Sequence, residues 1–165
     1  MSQFKSTLKS DGGVLKLAFE GMIDEDVAFP QVELKDYKAI HLDLQGIKAI
    51  NSVGIREWLD WIRPLSEKLQ IHLFNCPKTI VFQFNMVEGF LPPKSLVESF
   101  YVPFFCEKCD REENVLVKPG REVTAVGNSI KIDFGGKPPA KCDKPQCELE
   151  MDVTEGKYFQ FLKRV

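Results

Sequence analysis

The sequence has no apolar run long enough to cross a membrane. Its densest apolar stretch, residues 100–106, is far shorter than the about 20 residues that a transmembrane helix needs. The first residues alternate polar and apolar side chains and lack the continuous apolar segment of a secretory signal peptide. We therefore expect a cytoplasmic protein without a transmembrane segment.

An excess of charge of one sign is also missing. The chain has 22 Lys and Arg residues against 24 Asp and Glu residues, for a net charge of -2. Such a balance produces no general attraction to nucleic acids or to anionic membranes, although a local basic patch could still exist. Nucleic acid is therefore a disfavoured partner.

Motifs that would indicate catalysis are absent as well. The only histidines are His41 and His72, both on predicted strands, and neither has a nucleophile and an acid nearby in the sequence, as a hydrolase triad would require. The Gly-rich motifs that bind nucleotide phosphates are also missing. We therefore expect a protein that is not an enzyme.

What the chain does contain is enough apolar material for a core. Of its 165 residues, 44% are hydrophobic and 28% are charged, which is typical of a globular protein. This length suits one domain, or one domain with a small appendage, and excludes a large catalytic barrel.

Residues 1–104 alternate strand-like and helix-like patterns, which favours an α/β domain with helices packed on a sheet. The best helix covers residues 53–69, where apolar side chains recur every three or four positions; Pro64 lies inside it and predicts a kink or an early end. A second helix is predicted to begin at Pro77. Strands are predicted at residues 4–8, 14–19, 39–44 and 71–74.

Residues 105–165 form a second predicted unit that is rich in short strands. Runs of apolar and β-branched residues separated by Gly and Pro clusters are typical of such a region. The first run, residues 96–104, lies just before this unit. The others are at residues 115–118, 129–134, 148–153 and 157–162.

Two close pairs of cysteines lie in this second unit. The first pair is Cys106 and Cys109, and the second pair is Cys142 and Cys147. Two tight turns that each present two thiolates, joined by strands, are typical of a zinc ribbon. Four protein ligands leave no position for a catalytic water, so we expect structural zinc that contributes to folding of this small unit.

Other interpretations of the cysteines are disulfides or unrelated thiols. Cytosolic chains rarely keep disulfides, and the paired spacing favours a metal. The fifth cysteine, Cys76, is interpreted as a small buried residue, because no cationic neighbour in the sequence would lower its pKa.

The segment before the best helix carries a family resemblance. Residues 42–44 read Leu-Asp-Leu, and residues 51–55 read Asn-Ser-Val-Gly-Ile. This resembles the STAS domain of bacterial anti-sigma factor antagonists, where Leu-Asp-Leu ends a strand and an Asp-Ser-Ser-Gly-Leu loop opens a helix. Residues 20–24 also resemble the family's Gly-x-x-Asp segment, with Gly21 as its glycine and Asp24 as its aspartate. The resemblance covers about residues 3–104.

The resemblance implies an α/β fold, a STAS-like mixed sheet with helices packed on it, followed here by the small zinc-ribbon-like unit. In many STAS proteins a partner kinase phosphorylates the serine immediately before the loop glycine. Val53 occupies that position before Gly54, so this switch cannot operate there. Asn51 or Ser52 is instead suited to cap the helix.

The combined prediction is a regulatory or scaffold module that binds another protein, such as a kinase-like regulator, a sensor or a scaffold partner. One alternative is an anionic small ligand, a nucleotide or lipid, bound at the helix N-terminus. The other is weak nucleic-acid binding by the zinc ribbon. The candidate binding residues are Asp24, Asn51, Ser52, Val53, Gly54 and Arg56.

Trp61 falls off the main apolar face of the best helix. Aromatic residues are enriched at binding hot spots, so Trp61 could anchor a partner. We favour its burial beneath the β-rich unit.

Overall fold

A computed structural model describes residues 3–134, 142 and 147–163 of the chain. It contains a five-stranded mixed sheet, a three-stranded antiparallel sheet and a two-stranded hairpin, together with three α-helices. The strands are β1 Lys5–Asp11, β2 Val14–Ile23, β3 Ala39–Ile50, β4 Gln70–Phe74, β5 Leu96–Val97, β6 Phe100–Cys106, β7 Arg111–Val117, β8 Val123–Val126, β9 Ser129–Ile132 and β10 Glu150–Met151. The helices are α1 Ser52–Lys68, α2 Lys78–Met86 and α3 Glu155–Tyr158, with 3-10 turns at Leu34–Asp36 and Gln160–Lys163.

The five-stranded sheet has the order β1-β2-β3-β4-β5, with β1 antiparallel to β2 and the other neighbours parallel. The strands predicted at residues 4–8 and 14–19 form an antiparallel hairpin. Gly12 and Gly13 form its turn with φ angles of 52° and 87°, which suit a tight two-residue connection. Both predicted helices connect parallel strands, and α1 continues through Pro64 to Lys68.

The core lies between this sheet and the two helices. Alternate residues of the central strands are buried, as the period-two pattern predicts: Leu15, Leu17, Phe19, Ile40, Leu42, Leu44, Ile71 and Leu73. The helices bury Trp58, Ile62 and Leu65 from α1 and Ile80, Val81 and Phe84 from α2. The mixed α/β fold class is therefore confirmed.

The end of β3 differs from the prediction. This strand continues to Ile50 rather than ending at Leu44. Its pairing with β2 shifts register twice, and at each shift β3 contains one extra residue, which is a β-bulge. The first bulge changes which face is buried, so that Ile47 follows Leu44 into the core at an odd spacing. That break in period two concealed the second half of the strand.

The C-terminal elements also differ from the prediction. The single strand predicted over residues 96–104 is two strands in different sheets, β5 and β6. The strand predicted over 157–162 is helical, formed by the end of α3 and a 3-10 turn. Strand β8 was not predicted. These runs are too short for periodicity to distinguish a strand from a buried helical turn.

The helical C-terminus packs against α2. Asn85 Nδ2 donates a hydrogen bond to the carbonyl of Tyr158 at 2.8 Å, and the N–H of Phe161 donates to Asn85 Oδ1 at 2.8 Å. The rings of Phe84 and Phe161 lie 5.4 Å apart. Strand β6 crosses the predicted boundary, and the division into 1–104 and 105–165 stays a prediction.

Trp61 is covered by a different segment from the one expected. Its ring stacks on Phe29 at 4.9 Å, and Trp61 Nε1 donates to the carbonyl of Pro30 at 2.8 Å. The connection between β2 and β3 therefore covers Trp61, and the expected cover by the β-rich unit was wrong.

Candidate metal centre and the surface at the start of α1

The four cysteines of the second unit lie together. Cys106 ends β6, and Cys109 follows in the turn before β7, where Cys106 pairs with Arg111. Cys142 and Cys147 come from the segment that precedes β10. All four sulfur atoms lie within 4.8 Å of one another, and those of Cys109 and Cys142 are 3.7 Å apart.

These distances suit one shared ion. Four sulfurs at about 2.3 Å from a central metal form a tetrahedron whose edges measure about 3.8 Å. Cys106 is buried, Cys142 and Cys147 are half-buried, and Cys109 is exposed, so the centre lies at the edge of the second sheet. The four cysteines predicted from the sequence could therefore hold a metal ion.

The thiols of this cluster differ in acidity. Burial opposes ionisation of Cys106, but the N–H groups of Cys109 and Lys108 and hydrogen bonds with the neighbouring thiols outweigh it, lowering its pKa to about 6. Burial raises the pKa of Cys142 to about 12, and hydrogen bonds with Cys106 and Cys109 add to this effect. The pKa of Cys147 is raised for the same reasons. Cys106 therefore ionises more readily than Cys142 or Cys147.

Cys76 is separate from this cluster. Its side chain is completely buried beyond the end of β4, and burial raises the pKa of its thiol far above the usual range. Its backbone N–H donates to Ser99 and its carbonyl accepts from Tyr101. The prediction of a small buried residue at this position is confirmed.

Asn51 is the residue that caps α1. Its Oδ1 accepts a hydrogen bond from the N–H of Gly54 at 2.8 Å, and its Nδ2 donates to Glu25 Oε2 at 2.8 Å. Its backbone N–H donates to the carbonyl of Ile23 at 3.1 Å. Of the two residues that the sequence suggested as a cap, the structure therefore uses Asn51 and leaves the Ser52 side chain exposed.

Gly54 lies against the end of β2. A Cβ atom at this position would lie 2.0 Å from the carbonyl oxygen of Ile23, which is well inside contact distance. The requirement for glycine here comes from the close approach of two backbone segments of this chain.

The remaining candidate residues form a surface around the start of α1. Ser52, Val53 and Arg56 are exposed, and Asn51 connects them to Glu25 in the loop after β2. We call these five residues the α1 N-terminal surface. Asp24 precedes Glu25 in the chain and is half-buried, and its carboxylate accepts a hydrogen bond from the N–H of Asp26 at 3.0 Å.

The acidity of this loop follows from the same contacts. The hydrogen bond from Asn51 holds the pKa of the Glu25 carboxyl below its usual range. Glu25 therefore stays ionised near neutral pH, beside Asp24 and Asp26 in the sequence.

Replacing Asn51 by alanine is expected to lower the free energy of unfolding by about 1 kcal/mol, because the Gly54 N–H loses its capping partner. The pKa of Glu25 should also rise towards its ordinary value. Chemical denaturation measures the first effect, and an NMR pH titration of the carboxyl measures the second. Asn51→Ser keeps an acceptor for the cap without placing a second carboxylate against Glu25, so it should retain most of the stability. Equal stability of Asn51→Ala and wild type would contradict the capping role.

A cavity of about 540 Å³ was not predicted from the sequence. It is lined by residues of β3, the start of α2 and the second sheet, among them Lys48, Lys78, Glu112 and Asp152. These charged residues are far apart in the chain and belong to no motif, so no sequence signal connects them.

No family model matches this chain, and neither does any curated protein or any solved structure. The resemblance to the STAS domain consequently stays a prediction, carried by the residues quoted for it. Within the part of the chain that the structure describes, no helix is both long enough and apolar enough to span a bilayer.

Proposed function

We propose that this protein is a non-enzymatic regulatory or scaffold module of STAS type, which binds another protein through the α1 N-terminal surface. The observation that carries this proposal is the contrast between a fixed backbone and exposed side chains. Asn51 holds the start of α1 through three hydrogen bonds, whereas Ser52, Val53 and Arg56 face solvent. A rigid backbone lowers the entropy that binding must overcome.

The chemistry of the surface suits a protein partner. Val53 is 37% exposed, and Arg56 lies one turn along the helix from Ser52 and forms no ion pair with any residue that the structure describes. Arg is enriched at binding hot spots, where it combines charge with several donors. A valine instead of the phosphorylatable serine implies binding that phosphorylation at this position does not switch.

An anionic ligand at the same helix has less support. The Gly54 N–H is already occupied by Asn51, and an ionised Glu25 lies on the other side of that asparagine. Repulsion from the loop at residues 24–26 would oppose the attraction of the helix dipole. We therefore favour a protein partner over a nucleotide or lipid headgroup.

We further propose that the four clustered cysteines hold a structural zinc ion. Thiolates in a tetrahedral arrangement favour zinc among the common divalent metals. Cys106 and Cys109 would attach the β6–β7 hairpin, and Cys142 and Cys147 would attach the segment before β10. Bound zinc supplies a cross-link there, and with four protein ligands it leaves no position for a reacting water.

Replacing Arg56 by glutamate is expected to weaken partner binding at least tenfold, because it reverses the exposed positive charge on the α1 N-terminal surface. The partner is identified by quantitative mass spectrometry of complexes captured from the cells that express the protein natively. The affinity of the purified pair is then measured by calorimetry.

Arg63→Glu is the matched control, since Arg63 is an exposed arginine two turns further along α1. It makes the same change of charge outside the proposed surface and should leave the affinity within about threefold of wild type. Equal loss in both variants would reject the proposed surface, and so would no loss in Arg56→Glu.

A further inference from the structure

The cavity of about 540 Å³ lies between the end of β3, the start of α2 and the second sheet. Its apolar part is formed by Ile47, Pro103 and Phe104, all of which are buried. Its volume is within the range of about 300–1,000 Å³ that small-ligand sites occupy. The cavity is separate from the α1 N-terminal surface, with which it shares no residue.

Charges of both signs line this cavity. Lys48 comes from β3 and Lys78 begins α2, while Glu112 lies on β7 and Asp152 follows β10. None of the four forms an ion pair with another residue in the described ranges. The ammonium of Lys78 lies over the ring of Phe82, 5.5 Å from its centre. Two cations and two carboxylates therefore line one cavity without forming an ion pair among the described residues.

We propose that this cavity binds a small zwitterion with an apolar side chain, either a free amino acid or a short peptide. The carboxylate of such a ligand pairs with Lys48 and Lys78, and its ammonium group pairs with Glu112 and Asp152. Its apolar side chain packs against Pro77 and Tyr101, which are half-buried and also line the cavity. Gln45 and Asn114 also line the cavity and offer amide groups to a peptide backbone.

Ligands whose charges are all of one sign fit this lining less well. A phosphate or dicarboxylate would pair with the lysines but would bring a second negative charge towards Glu112 and Asp152. A polyamine would meet the opposite problem at the lysines. A ligand with separated charges of both signs can place each charge beside lining residues of the opposite sign. Such electrostatic complementarity produces specificity.

The test is an NMR titration of the full-length, ¹⁵N-labelled protein with phenylalanine and with the dipeptide alanyl-phenylalanine. We expect at least one of them to bind at millimolar concentration or below, with shift changes at Ile47, Thr79 and Asn114. The N-acetylated and the C-amidated forms of the dipeptide each lack one charge and should bind more weakly than the zwitterion. Inorganic phosphate is the control ligand that carries only negative charge.

Charge-removing variants connect each ligand group to its wall of the cavity. Lys48→Gln should weaken binding of the zwitterion about threefold to tenfold. It should hardly affect the C-amidated dipeptide, which has no carboxylate that could pair with Lys48. Asp152→Asn should weaken the zwitterion similarly and leave the N-acetylated dipeptide unaffected. Lys68→Gln removes an exposed charge from α1, outside the cavity, and should bind as wild type does.

Three outcomes would overturn the inference: no shift changes with either zwitterion, equal binding of charged and blocked dipeptides, or tighter binding of phosphate than of both zwitterions. The variants change polar side chains at exposed positions, so folding is checked simply by comparing their spectra with that of wild type. The proposed protein interaction at Arg56 uses other residues. Failure at one site therefore does not imply failure at the other.

Discussion

Replacement of Cys106 by serine should reduce bound zinc from one ion per chain to almost none. Cys106 is the buried member of the cluster and ends β6, and hydrogen bonds lower the pKa of its thiol to about 6, so its loss removes a ligand that is both fixed in place and readily ionised. A tetrahedral thiolate site with three remaining cysteines binds zinc much more weakly, and binding of a structural metal contributes directly to folding. We expect a loss of about 3–5 kcal/mol in stability, which corresponds to about 10 °C in melting temperature.

The measurements are metal analysis of purified protein, thermal unfolding, and hydrogen exchange of β7 and of the β8–β9 hairpin. Exchange should increase there more than in the five-stranded sheet. Cys76→Ala is the matched control: it removes a buried cysteine outside the cluster, so it should be destabilised through packing and yet keep its zinc. Wild-type protein that carries far less than one ion per chain, when prepared without chelator, would reject the metal site itself.

The cysteine cluster shows how far spacing alone can lead. Two pairs of thiols in short turns predict a shared ion because turn geometry brings close neighbours together, and only the meeting of the two pairs required long-range structure. The sulfur positions agree with this prediction. Spacing could not assign different acidities to Cys106 and Cys142, because these depend on local N–H donors and on burial.

Four strands of the five-stranded sheet, β1 to β4, were predictable for a similar reason. Its central strands have one buried face, so alternation in the sequence reports directly on burial. The alternation stops reporting on burial where a strand is irregular or where a short segment is buried on all sides. The bulges in β3 change the buried face within one strand, and in the C-terminal segment Tyr158, Phe159 and Phe161 are all buried, because α2 provides a surface for them that no local pattern announces.

No sequence pattern predicts the cavity. Lys48 and Lys78 are 30 positions apart, and Glu112 and Asp152 are further still. Each has the ordinary appearance of a surface charge in its own segment. They meet only because β6 and β7 pack beside the start of α2, which is a consequence of tertiary structure. The α1 N-terminal surface, by contrast, comes largely from one continuous segment, so its residues could be named in advance.

Replacing Gly54 by alanine should destabilise the protein by about 2 kcal/mol. In an ordinary helix this change would be favourable by about 1 kcal/mol. Here the added Cβ would lie 2.0 Å from the carbonyl oxygen of Ile23 and 2.5 Å from its carbonyl carbon. Both atoms belong to the backbone of a buried residue, so the start of α1 must move away from β2. That movement also strains the hydrogen bond from Asn51 to Ile23, and such overpacking typically costs about 1–3 kcal/mol.

Gly156→Ala provides the comparison for Gly54→Ala. Gly156 lies within the short helix α3, and a Cβ atom there would meet nothing within 4 Å. The same substitution should therefore be neutral or stabilising by up to about 1 kcal/mol, through lower entropy of the unfolded chain. Equilibrium unfolding in urea measures both variants. If Gly54→Ala were as stable as Gly156→Ala, the contact between the start of α1 and the end of β2 would be looser than 2.0 Å implies, and the rigid backbone on which the proposed binding surface depends would be lost with it.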